Sequence, residues 1–156
     1  MTPQNAGSGT RSDCVGFPRG TEIMTLAGAL PVEALYPGDR VITRDAGAQT
    51  LRDITCHAVP VRSRFVRVSR DALGGRPSCD MLLPADQRML LRDWRAQALY
   101  GTSAARVPIS RLVDGEFLRW TEDRPEALLR LRFDHCHIVY ANGLELFSAD
   151  PVTAEV

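Results

Sequence analysis

The chain carries four thiols, Cys14, Cys56, Cys79 and Cys136, and three imidazoles, His57, His135 and His137. A thiol is well suited to attack a carbonyl, because part of it is thiolate even at neutral pH and it is intrinsically nucleophilic. Imidazole titrates near neutrality and moves protons to and from reacting groups. In Asp134-His135-Cys136-His137 the polar residues alternate, so a strand there puts His135 and His137 on one face. With Cys56 or His57 they would make up a tetrahedral zinc set if the strands were neighbours. The paired Cys-x2–4-Cys spacing of structural zinc modules is missing, however, and no metal or other cofactor is expected. Asn142-Gly143 is succinimide-prone as a free dipeptide, but between two apolar runs it reads as a hairpin turn.

The elements that would position these groups are short. TEIMTL at 21–26 and RVITR at 40–44 are β-branched runs bounded by Gly28, Pro31, Pro37-Gly38 and Ala46-Gly47. Val32 to Leu35 has room for one helical turn before Pro37. Strands are expected at 51–57, 59–69, 80–83, 88–92, 107–112, 116–120, 128–133, 135–140 and 144–147, with Asp114-Gly115 and Asn142-Gly143 as turns. DWRAQALY at 93–100 is the best helix candidate, with Asp93 as N-cap and Gly101 as its stop. Many short strands at regular spacing imply an all-β domain with one short helix at most.

Composition narrows the class. The apolar and charged fractions, 44% and 24%, match ordinary globular chains, so wholesale disorder is excluded. All 19 basic residues are Arg and are balanced by 19 acidic ones, which gives no general attraction for nucleic acid or an anionic membrane. The local cluster Arg62, Arg64, Arg67 and Arg70 interleaves with Phe65, Val66 and Val68 and reads as the solvated face of a strand. Residues 1–14 are expected to form a flexible tail, 15–150 the domain and 151–156 a C-terminal tail. No signal-peptide pattern opens the chain, so the cytoplasm is the default compartment, with non-classical export left open. Met1 suggests a chain that stands alone. A protein partner is compatible with the sequence and is not identified by it.

The series Gly20-Thr21, Pro31-Val32-Glu33, Leu35 and Pro37-Gly38-Asp39 resembles, in order and spacing, the first block of the Hint family, the self-processing domain of inteins and hedgehog proteins. Leu82 to Leu91 is similar to the second block, and Leu129 to Leu144, through Asp134-His135-Cys136-His137 and Tyr140-Ala141-Asn142-Gly143, to the closing strand pair. The resemblance spans about residues 15–150 and favours stand-alone bacterial Hint-like domains. It implies a compact, horseshoe-shaped all-β fold.

It also implies a site whose reactive positions differ. Where the family has its nucleophile, this chain has Gly16. Where the family's second-block His would protonate the departing amide nitrogen stands Gln87, whose amide does not titrate near pH 7. Phe147 and Ser148 occupy about the places of the closing His and Asn. His137 matches the His that assists cleavage, with Asp134 beside it, and Cys14, two residues upstream of Gly16, is the only nearby thiol. Three functions follow: a Hint-like scaffold that lost self-cleavage and serves as a structural or recognition module; autoprocessing by displaced groups such as Cys14 and His137; or a ligand- or partner-binding β domain with Trp94, Tyr100 and Trp120 lining a groove.

Overall fold

A computed structural model describes residues 15–151. The alternating runs become β1 (Glu22–Thr25), β2 (Gly28–Pro31), β3 (Arg40–Thr43), β4 (Gly47–Thr50), β5 (Asp53–Ala58), β6 (Phe65–Val68) and β7 (Met81–Pro84). They continue as β8 (Arg88–Leu91), β9 (Ala105–Pro108), β10 (Leu118–Thr121), β11 (Ala127–Arg132), β12 (Ile138–Ala141) and β13 (Leu144–Phe147). One α-helix, α1 (Trp94–Tyr100), follows β8. The Asp93 carboxylate accepts from the Arg95 N–H at 2.9 Å, and Gly101, at φ 69°, stops the helix in the left-handed region. Single 3-10 turns occupy Val32–Ala34 and Ile109–Leu112.

Every pairing is antiparallel. The largest sheet runs β2-β1-β3-β12-β13-β8-β9, with β4 added on β3; β10-β6-β7 and β11-β5 form two smaller sheets. In the large sheet Ile23, Val41, Val139 and Leu146 point inward and are fully buried, whereas Glu22, Met24, Ile42 and Tyr140 alternate with the buried residues. The inward rows meet Phe17, Leu51, Val66, Leu83 and Leu131 in one core. Asn142 and Gly143, both at positive φ, close the β12–β13 hairpin, as their types demand.

Several expectations shift. Residues 59–64 form a turn and not the first half of a strand, because Pro60 starts a bend in which Ser63 N–H donates to the Pro60 carbonyl. The β2 and β4 segments, read from sequence as turn punctuation, are strands: Ala29 pairs Met24 and Ala48 pairs Ile42, so ladder partners override weak propensity. Residues 134–137 bend and do not extend. The His137 and Ile138 N–H groups donate to side chains, Ser148 Oγ at 3.0 Å and Asp45 Oδ1 at 3.0 Å, where a strand would send them to a ladder. Asp114-Gly115 does turn the chain, but it separates segments that join different sheets, β9 on β8 and β10 on β6.

Candidate functional site

The site grows from three elements. Phe17, fully buried, exchanges both backbone hydrogen bonds with Leu129 of β11, at 2.9 and 2.8 Å. That pair lays the Val15–Gly16 peptide against β11. The turn from Pro84 to Gln87 delivers Gln87, 2% exposed, beneath it just before β8 starts. The β12–β13 hairpin brings Phe147 alongside, its carbonyl 2.8 Å from Gln87 Nε2.

These contacts saturate the centre. Gln87 Nε2 donates to the carbonyls of Arg88, at 3.0 Å, and Phe147, so its two hydrogens are used and Oε1 must face the other way. There it accepts the Gly16 N–H at 3.1 Å. At the other pole of the same peptide, Arg130 Nε donates to the Val15 carbonyl at 3.1 Å. Gly16 itself has φ 132°, a conformation that L side chains rarely adopt. A Cβ added there would lie 3.0 Å from the Leu129 oxygen and 3.1 Å from Leu128 Cβ. The position has neither a reactive side chain nor space for one.

A second polar pair lies in the bend before β12. His137 is buried, and its Nδ1 is 2.9 Å from Asp45 Oδ2. Burial pushes the Asp45 carboxyl up, but the Ile138 N–H and the His137 ring outweigh it and hold Asp45 below its usual range. A carboxylate only accepts, so Nδ1 carries the hydrogen. In the neutral ring Nε2 then keeps a lone pair; it is buried and has no hydrogen-bond partner among the described residues. A carboxylate that fixes an imidazole tautomer while the far nitrogen stays open is the arrangement of a positioned base.

The other expected residues separate. Asp134 is exposed and pairs with Arg52 at 3.1 and 3.2 Å, so the partner of His137 is Asp45 and not Asp134. The Arg52 guanidinium holds the Asp134 carboxyl below its ordinary value. His135 is exposed while His137 is buried, with ring centroids 6.2 Å apart, so the two do not share a face. His57 sits on β5 opposite Leu128 of β11, away from the closing strands, with Nε2 2.7 Å from Thr55 Oγ1. Among the described residues no three His, Cys, Asp or Glu side chains are grouped to hold a metal ion. Cys14 lies outside the described residues. Ser148, in the place expected for the closing Asn, accepts the His137 N–H through Oγ, and its own N–H returns to the His137 carbonyl at 2.8 Å. Asp45 carried no sequence signal in the turn between β3 and β4, and nothing in the sequence set Arg130 apart from the other arginines.

A family model described as the Hint domain matches residues 15–152. A bacterial intein-like domain from Clostridium thermocellum is similar in structure, with TM-score 0.59 and 16% identity over 87% of this chain and 99% of that one. An Ssp DnaB mini-intein variant gives TM-score 0.54 at 11% identity, covering 90% and 96%. The N145AA form of the MchDnaB-1 intein gives 0.53 at 12%, covering 85% and 98%. Comparison with curated protein sequences finds no match.

Proposed function

The chain belongs to the Hint domain family, and from that premise we propose that it is a Hint scaffold that holds the Val15–Gly16 peptide without cleaving it, acting as a structural or recognition module. The observation that carries this reading is the Gly16–Gln87 contact. Acyl transfer at this peptide needs a nucleophile at residue 16 and an acid that protonates the departing nitrogen. Gly16 supplies no nucleophile, and Gln87 accepts from that N–H where an acid would donate to it. A positioned acid is worth about 10²–10⁴-fold, so its loss together with the nucleophile leaves a rate near background. The guanidinium of Arg130 on the Val15 carbonyl then serves to grip the strand that enters the domain.

Intact-mass measurement of the full chain during incubation with excess thiol tests the proposal. An unchanged mass is expected, and time-dependent loss of the residues before Gly16 would overturn it. A second reading, autoprocessing by displaced groups such as Cys14 with His137, is favoured by one feature, the buried Nε2 of His137, which has no partner among the described residues. The same time course decides it, since that reading requires the cleavage.

A further inference from the structure

The outer face of the large sheet departs from the pattern its inner face sets. Where one side of an antiparallel sheet packs on a core, the other side is usually polar. Here Met24 of β1, Ala29 of β2, Ile42 of β3 and Tyr140 of β12 form an apolar strip across four strands. Met24 stays 40% exposed. Gly75, Arg76 and Ser78 border the strip and line with it an open cavity of about 410 Å³, within the roughly 300–1,000 Å³ of small-molecule sites. Trp94 and Tyr100, expected from sequence to line a groove, do not line it, and neither does Trp120.

Two charged residues, Arg76 and Glu22, line the same cavity. The turn at Asn142-Gly143 touches both: Glu22 N–H donates to Asn142 Oδ1 at 2.8 Å, and a Cβ on Gly143 would lie 3.5 Å from Arg76 Cγ. Even so, among the described residues neither side chain makes an ion pair or a hydrogen bond. The neighbouring cavity, which Arg76 also lines, differs. There Glu145 is buried and fully engaged, with Arg92 at 2.7 Å on both oxygens and Arg44 at 3.5 Å.

We propose that the Met24–Tyr140 cavity binds a zwitterion with an apolar body, of the class of free α-amino acids with aliphatic or aromatic side chains. This names a ligand for the recognition role above and rests on that reading. The ligand's carboxylate meets Arg76, its ammonium meets Glu22, and its side chain covers Met24, Ala29, Ile42 and Tyr140. An anion alone would face Glu22 across the cavity, a cation alone would face Arg76, and a neutral apolar molecule would gain no charge-assisted contact from either. A ligand with both charges close together can meet both residues.

Calorimetric titration of the full chain with L-leucine and L-phenylalanine, set against N-acetyl-L-leucine and L-leucinamide, tests the proposal. Saturable binding of the two free amino acids is expected, with each capped analogue weaker by about tenfold or more, since each loses a charge-assisted contact. Arg76→Ala should erase the advantage of leucine over leucinamide, and Glu22→Gln its advantage over N-acetyl-leucine. Both residues are exposed, and an unchanged melting curve shows that the variants are folded. No saturable binding, or equal binding of free and capped compounds, overturns the proposal. Self-cleavage would instead show as a change in chain mass, so the two readings fail in distinguishable ways.

Discussion

Two buried polar regions sit on neighbouring parts of this fold and are built on opposite plans. Around Gly16 the Val15–Gly16 peptide and the Gln87 amide are matched: the peptide N–H by Gln87 Oε1, the Val15 carbonyl by Arg130, and both amide hydrogens of Gln87 by carbonyls. Around His137 one atom, Nε2, is left over among the described residues, although Asp45 fixes the rest of the ring. A saturated set of hydrogen bonds rigidifies, whereas an orphaned buried nitrogen is a cost that a purely structural site avoids. Of the two places where the family resemblance implies reactive groups, the one around Gly16 is tied down, and the open valence lies at His137, in the bend before β12.

The comparison breaks most sharply at Gly16. If the centre is tied down by its backbone, then a Cβ alone should damage it. Gly16→Ala and Gly16→Cys should then destabilise equally, by about 3 kcal/mol, from the positive φ and the close approach to Leu129 and Leu128. Urea midpoints measure this. If Gly16→Cys were as stable as the parent and released the preceding residues in thiol, the site would be an open vacancy and not a closed one.

Gln87→Glu comes next. A carboxylate can still accept the Gly16 N–H, but it presents lone pairs to the Arg88 and Phe147 carbonyls where Gln87 donated. The expected loss at pH 7 is about 2–3 kcal/mol. The repulsion also raises the folded-state pKa of the new carboxyl above its unfolded value, so the folded state binds the proton more tightly. The deficit should therefore shrink as pH falls through that pKa and grow as pH rises. A deficit independent of pH would mean that the introduced carboxylate turns away and that the Gln87 amide was not fixed by its two carbonyls.

What the sequence disclosed follows from range. Most strands with β-branched alternation, the capped helix and the Asn142-Gly143 turn depend on neighbours within a few residues and were legible, whereas 59–64 and 109–112, read as strand, turn instead. β2 and β4 were not, since Gly28 and Gly47 carry no strand preference and their ladders are set by β1 and β3. The site divided in the same way. Motif spacing singled out Gly16, Gln87 and His137, but not the partner of His137: Asp134 lies in the same short bend, while Asp45 arrives from 92 residues away in the turn between β3 and β4. Nor does spacing reveal that Gly16 is sterically closed, because the wall comes from β11.

The smallest expected effect is at the open region, and it separates tautomer from charge. Asp45 is held below its unfolded pKa, so its stabilisation is complete above the unfolded carboxylate range and is lost as pH falls through the folded value. Asp45→Asn should leave a folded protein whose stability falls less steeply on acidification than the parent's, read from urea midpoints between about pH 7 and about pH 3. The substitution also changes what faces the ring. An amide oxygen can keep the Ile138 N–H, which turns its NH₂ toward His137 Nδ1, and that donor moves the ring hydrogen from Nδ1 to Nε2. Nitrogen-15 NMR of the imidazole distinguishes the two tautomers directly. Parallel stability curves with an unchanged Nδ1–H signal would mean that Asp45 does not set the ring, and the contrast between a closed centre and a poised one would fall with it.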